Sequence, residues 1–122
     1  MGINSNTTNS ILLSIKHKLG LDDIDYYDQD IIIEINMALM VLNQIGIGPS
    51  EPFVVKDSED TWEDFLGPSK KYEEVKTLVY LKVKTNFDPP TSGILMQSME
   101  KQISELQWRL YVKKDNEKGG NT

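Results

Sequence analysis

The sequence predicts an all-α protein: a small helical bundle of about four main helices around a central buried helix, with one long loop carrying a short helical turn. Three observations lead there. The stretch 30–45, DIIIEINMALMVLNQI, is apolar on almost every side. Three other segments repeat apolar residues at three- and four-residue spacing. Gly and Pro clusters at 46–52 and 88–90 punctuate them. At 122 residues the chain suits one hydrophobic core. A single domain is expected over 9–112, between disordered ends at 1–8 and 113–122.

In chain order, Asn9 or Ser10 caps a helix, ILLSIKHKLG, whose Ile11, Leu12, Ile15 and Leu19 share one side. Gly20 stands at the left-handed C-cap position, and Lys16 and Lys18 lie near the negative end of the helix dipole. The acidic stretch LDDIDYYDQD invites a calcium-loop reading, but the spacing defeats it. Counted from Asp23, the fifth place is Tyr27, and the sixth, which needs Gly, is Asp28. Asp28 or its neighbours are instead expected to cap the central helix, with surplus acid at its positive end.

Along that central helix Ile31, Ile35, Ala38, Leu42 and Ile45 follow one side, and Ile33, Met37, Met40 and Val41 fill a second. Only Glu34, Asn36, Asn43 and Gln44 interrupt the apolar surface. A helix this apolar must be covered over most of its circumference. It is too short to span a bilayer, so the cover is protein.

Gly46, Gly48, Pro49 and Pro52 end the helix and open a long connection. Phe53–Val55 reads as a short extended piece, and Thr61–Gly67 (TWEDFLG) as a short helical turn capped by Thr61 or Asp60. Trp62 and Phe65 serve either the domain's own core, the reading composition favours, or as anchors for another chain. A third long helix is expected from Ser69 to Phe87, with Tyr72, Val75, Leu78, Val79 and Val83 inward. Asp88-Pro89-Pro90 forces a sharp break. Thr91 or Ser92 then caps a last helix to Val112, striped by Leu95, Met99, Ile103, Leu106 and Leu110. Glu105 and Arg109 are spaced for a surface ion pair, and Trp108 lies off the stripe.

Function classes narrow by exclusion. A net charge of −6 argues against a protein that grips duplex DNA through a basic stripe. With no cysteine there is no disulfide, thiolate metal site or cysteine nucleophile. The polar start, MGINSNTTNS, is not a secretory signal and only loosely shadows a myristoylation pattern. His17, the single histidine, sits between two lysines and reads as solvent-facing, and GIGP after a helix is no phosphate loop. No catalytic residue, cofactor or metal is implied. The residues describe a binding or structural protein.

The second half narrows this further. TWEDFLG, then VYLKV, FDPPTS and a closing ELQWRL, in that order, resemble the head-tail connector proteins of tailed bacteriophages, over about Ile24–Tyr111. The resemblance implies a structural protein of the virion neck, made in the host bacterial cytoplasm. Copies of it, monomeric alone, would form a ring beneath the portal, dodecameric in the virion. The ring would join head to tail, contact the portal protein and the next neck or tail-completion protein, and pass DNA without sequence-specific binding. An acidic lining would let that DNA slide. Ring subunits need two unlike contact patches, and the candidates are Trp62, Phe65, Phe87, Asp88, Pro89, Pro90, Trp108 and Arg109. The rival is a small helical regulatory or peptide-binding module, antitoxin-like, which needs only one groove. An acidic DNA mimic fits less well, because the acids are interleaved with lysines.

Overall fold

The computed structural model describes residues 9–67 and 72–120. Among them are α1 (Ile11–Leu19), α2 (Asp28–Gln44), the short α3 (Trp62–Leu66), α4 (Tyr72–Phe87) and α5 (Gly93–Gly120). The described residues contain no strand, only an isolated antiparallel bridge between Ser10 and Thr61. The all-α bundle is therefore the observed fold. The disordered start expected at 1–8 and the helix start expected at 69–71 lie outside the described residues.

Local signals set most boundaries. Ser10 caps α1, its hydroxyl accepting from the Leu13 N–H at 3.2 Å, and Gly20 closes the helix at φ 76°. Thr61 and Asp64 form a reciprocal capping box on α3. The Ser92 hydroxyl accepts from the Leu95 N–H at 3.3 Å at the start of α5. The helix does not stop at Val112 but continues to Gly120. Nothing before Gly119 breaks a helix, and Lys113 pairs with Glu74 of α4.

The core brings Ile11, Leu12 and Ile15 of α1 against Ile31, Ile35, Ala38 and Leu42 of α2, and against Val75, Leu78, Val79 and Val83 of α4. The α2–α4 contact is the most extensive, and α5 packs on α4. Two expectations about α2 are corrected. It has no side-chain cap: Tyr27 holds that place without the bond, and Asp28 and Asp30 supply acid to the first turn. Its second apolar side is not covered, because Ile33, Met37 and Met40 are all exposed. The buried set takes in Ile32 and Leu39 instead.

Asp28 has a different task. Lys16, placed by the sequence near the negative end of the α1 dipole, is 1% exposed. Its ammonium lies 2.9 Å from Asp25 Oδ1 and 2.8 Å from Asp28 Oδ1. The acidic stretch thus neutralises a buried cation. Burial disfavours the charged lysine, but hydrogen bonds to Asp25 and Asp28 and the charges of both carboxylates outweigh it, so the pKa lies above the ordinary 10.5.

The long connection is held at many points. Asp60 Oδ2 accepts from the backbone N–H groups of Lys56 and Asp57 at 2.7 and 3.2 Å, and its carbonyl accepts from Ile11 N–H at 3.0 Å. Gly48, at φ 94°, lies against the Phe65 ring, where an added Cβ would come within 2.5 Å of Cε1. Both the backbone conformation and the close approach require glycine.

Gly48→Ala is expected to cost about 2–4 kcal/mol, from left-handed strain plus overpacking, read as a lower midpoint in urea denaturation. Lys16→Met is expected to cost roughly 1–3 kcal/mol at neutral pH, less than for a sealed pair because Asp25 is open to water. The folded state raises the lysine pKa, so the pair's contribution is complete below about pH 10 and lost as pH climbs through the folded-state value. Melting experiments on wild type and variant are therefore expected to converge at alkaline pH.

Candidate functional site

The eight residues singled out in the sequence are not one surface. Trp62 is fully buried, its indole N–H donating to Ser14 Oγ at 2.8 Å, and Phe65 is buried against Phe53 and Gly48. Neither can present itself to a partner. The core reading of this pair holds, and their candidacy as exposed anchors is withdrawn: the capped turn of α3 folds both rings inward. Phe87 is half-buried, edge-on to Tyr27 with ring centroids 5.5 Å apart. Asp88 is exposed and pairs with Lys84 at 2.7 Å, Pro89 is exposed and Pro90 half-buried. Trp108 is 65% exposed and stacks on Tyr111, with Arg109 exposed beside it. Glu105 and Arg109 are both exposed and are not among the ion pairs of the described residues, as befits a solvated pair worth little.

Two apolar surfaces do emerge. The first is a groove of about 510 Å³ between the bare side of α2 and the long connection. Ile33, Met37 and Met40 form one wall, Pro52, Phe53 and Val54 the other, and Leu39 and Phe65 the floor. Asn36 fixes the second wall. Its side-chain carbonyl accepts from Val55 N–H at 2.8 Å while its amide donates to Val55 O at 3.1 Å. Asn43 adds a bond to Pro49 O at 2.7 Å. The expected extended piece at 53–55 is present as chain held by a side chain, not as a paired strand.

The second surface is the start of α5. Lys113 opposite Glu74 sets the antiparallel register with α4. Counting back at equal rise places Phe87, the end of α4, level with about Glu100. Residues 93–99 therefore start beyond the level of Phe87, with Met96 and Met99 half-buried and Ile94 and Leu95 turned outward. Burial agrees: Ile94 is 80% and Leu95 57% exposed, and only Ile103, Leu106 and Leu110 of the expected stripe join the core. Leu95 is thus corrected from core to surface, and Met99 is half-buried but outside the core.

Sequence periodicity missed both surfaces, yet each left a signal. The all-round apolarity of α2 asked for a cover its own chain does not supply. On α5, Ile94 stands off the Leu95–Leu110 stripe and so marked an apolar side chain outside the expected core face.

Other chemistry is thin. His17 Nδ1 lies 2.8 Å from Asp22 Oδ1 on the exposed end of α1. Among the described residues no group of three or more His, Asp or Glu is placed to hold a metal, and no helix is long and apolar enough to cross a membrane.

A family model described as phage connector protein matches residues 11–117, from the first residue of α1 to near the end of α5. The chain belongs to the phage connector protein family. That gives the connector a structural role in the phage neck, in association with head-tail proteins, and a place in the virion. The family is not known for enzymatic activity. Comparison with curated proteins and with solved structures gives no match.

Asn36→Ala is expected to destabilise the connector by about 2–4 kcal/mol, because Val55, 1% exposed, would keep both backbone groups buried without partners. Hydrogen exchange at the Val55 amide is the direct check: slow in the wild type and fast in the variant.

Proposed function

We propose that this connector forms an oligomeric ring beneath the portal, joins it to the next neck or tail-completion protein, and leaves a channel for DNA. The observation that carries this reading, beside family membership, is the pair of unlike apolar surfaces on one chain. Ile33, Met37 and Met40 lie on the side of α2 away from Ile31, Ile35 and Leu42, whereas α5 packs on α4 across the core. The groove lies on the bare side of α2, and the exposed Ile94 and Leu95 lie on α5, a different helix. One surface would suit a peptide-binding module; two unlike surfaces on different helices suit a subunit that is contacted twice, as in a ring.

The charge balance supports the rest. A net charge of −6 argues against a strong grip on duplex DNA, which supports a channel that passes DNA without sequence-specific binding. The same charge keeps free copies apart, which supports a monomer until the portal gathers them. A tenfold or twelvefold ring is equally open to this geometry; the dodecamer rests on the resemblance alone.

Light scattering and negative-stain microscopy of the connector, alone and mixed with the cognate portal protein, test the reading. The expected result is a monomer alone and rings stacked on one end of the portal in the mixture. A monomer or dimer that ignores the portal would overturn it in favour of the single-groove module.

A further inference from the structure

The inference drawn here rests on the ring reading and names the chemistry that holds the connector to the portal. We propose that the corner formed by Tyr26, Tyr27 and Phe87 is the docking site for an arginine- or lysine-bearing segment of the portal protein.

The aromatic side chains come first. Tyr26 is 85% exposed and stands edge-on to Tyr27, with ring centroids 4.9 Å apart, and Tyr27 stands edge-on to Phe87 at 5.5 Å. Three side chains thus form one run from the half-buried end of α4 to open solvent, with exposed Ile24 close by in the chain. A tyrosine this open adds nothing to the monomer's core, and tyrosine is among the side chains that most often anchor another chain.

The backbone beneath them is fixed. The buried Lys16 ammonium reaches Asp25 at 2.9 Å and Asp28 at 2.8 Å, and so fastens the chain on both sides of Tyr26 and Tyr27. The Asp28 N–H donates to the Asp25 carbonyl at 3.2 Å across the same pair. A turn tied at both ends presents its side chains with little left to order on binding.

Charge selects the partner. Residues 19–30 contain five aspartates and no lysine or arginine. Lys16 pairs with Asp25 and Asp28, His17 with Asp22, and Lys84 with Asp88. Asp23 and Asp30, each three residues from one of the two tyrosines, are exposed and have no ion pair among the described residues. An open aromatic face attracts a guanidinium or ammonium, and a free carboxylate beside it gives that cation a charge-assisted hydrogen bond. A second copy is a poor occupant, because copies of net charge −6 repel. Copies that repel need an attractive surface on the body that gathers them, and in the ring reading that body is the portal.

Binding of the full-length connector to immobilised cognate portal protein, at low and high salt, tests the assignment. The variants are Tyr26→Ala, Tyr26→Phe, and Asp23→Asn combined with Asp30→Asn, with Glu51→Gln plus Glu105→Gln as a charge-matched control at exposed positions on other segments. Circular dichroism and melting establish that each is folded, and Asp23→Asn alone replaces the double variant if the change at Asp30 loosens the start of α2. Tyr26→Ala is expected to weaken binding roughly tenfold, while Tyr26→Phe binds as wild type does. The aspartate variant is expected to bind more weakly and to lose much of the salt dependence, and the control to keep both. If wild type binds the portal and Tyr26→Ala binds it equally well, the corner is wrong and the ring reading stands. If Tyr26→Ala weakens binding but the aspartate variant does not, the basic partner is overturned. If the corner variants bind the portal normally yet no longer assemble into rings on it, the corner joins copies and the portal is overturned as its partner. If wild type does not bind the portal at all, both readings fall together.

Discussion

The side-chain amide of Asn36 clamps the middle of the long connection to α2. Its two bonds to Val55 stand where a strand partner would otherwise be needed, and they let an irregular segment lie against the core without orphaned backbone groups. From that anchor the chain is led round to α3, where Trp62 and Phe65 complete the core, and back past α1 through the Asp60 carbonyl. Were Val55 released, the outer wall of the groove and the docking of α3 would both lose their fixed point. The same clamp therefore serves the stability of the monomer and the shape of its exposed surface.

The second organising constraint is a mismatch of lengths. α5 has 28 residues and α4 has 16. The longer helix would reach about 42 Å and the shorter about 24 Å at 1.5 Å per residue. Two helices paired over the shorter length must leave the longer one uncovered somewhere. The Glu74–Lys113 pair sets where the pairing begins, and so fixes how far the start of α5 extends past Phe87.

What the sequence disclosed, and what it hid, follows from how far apart the interacting residues are. Ser10, Gly20, Thr61 and the Asp88-Pro89-Pro90 break act on neighbours within a turn, and all of them read correctly from residue type alone. The core face of α4 was equally legible, because Val75, Val79 and Val83 repeat at the helical period. Lys16 was not, since its counter-charges lie across a turn and only the fold brings them together. Asn36 looked like part of a polar face because nothing in the spacing reveals a partner 19 residues away. Periodicity reports which side of a helix is apolar; it does not report whether the cover is supplied by the same chain. For Ile33, Met37 and Met40 on one helix, and Leu95 on another, that distinction separated core from surface.

The groove wall contains two methionines, Met37 and Met40, and only one branched side chain on α2, Ile33. Methionine has an unbranched, flexible stem and a soft sulfur, so it adjusts to whatever presses on it. A neighbour seated there would be held without being held at one angle. Subunits joined through such a hinge can tilt relative to one another by small amounts at little cost. The curvature of an assembly built this way would then be set by the template it is built on rather than by the subunit itself.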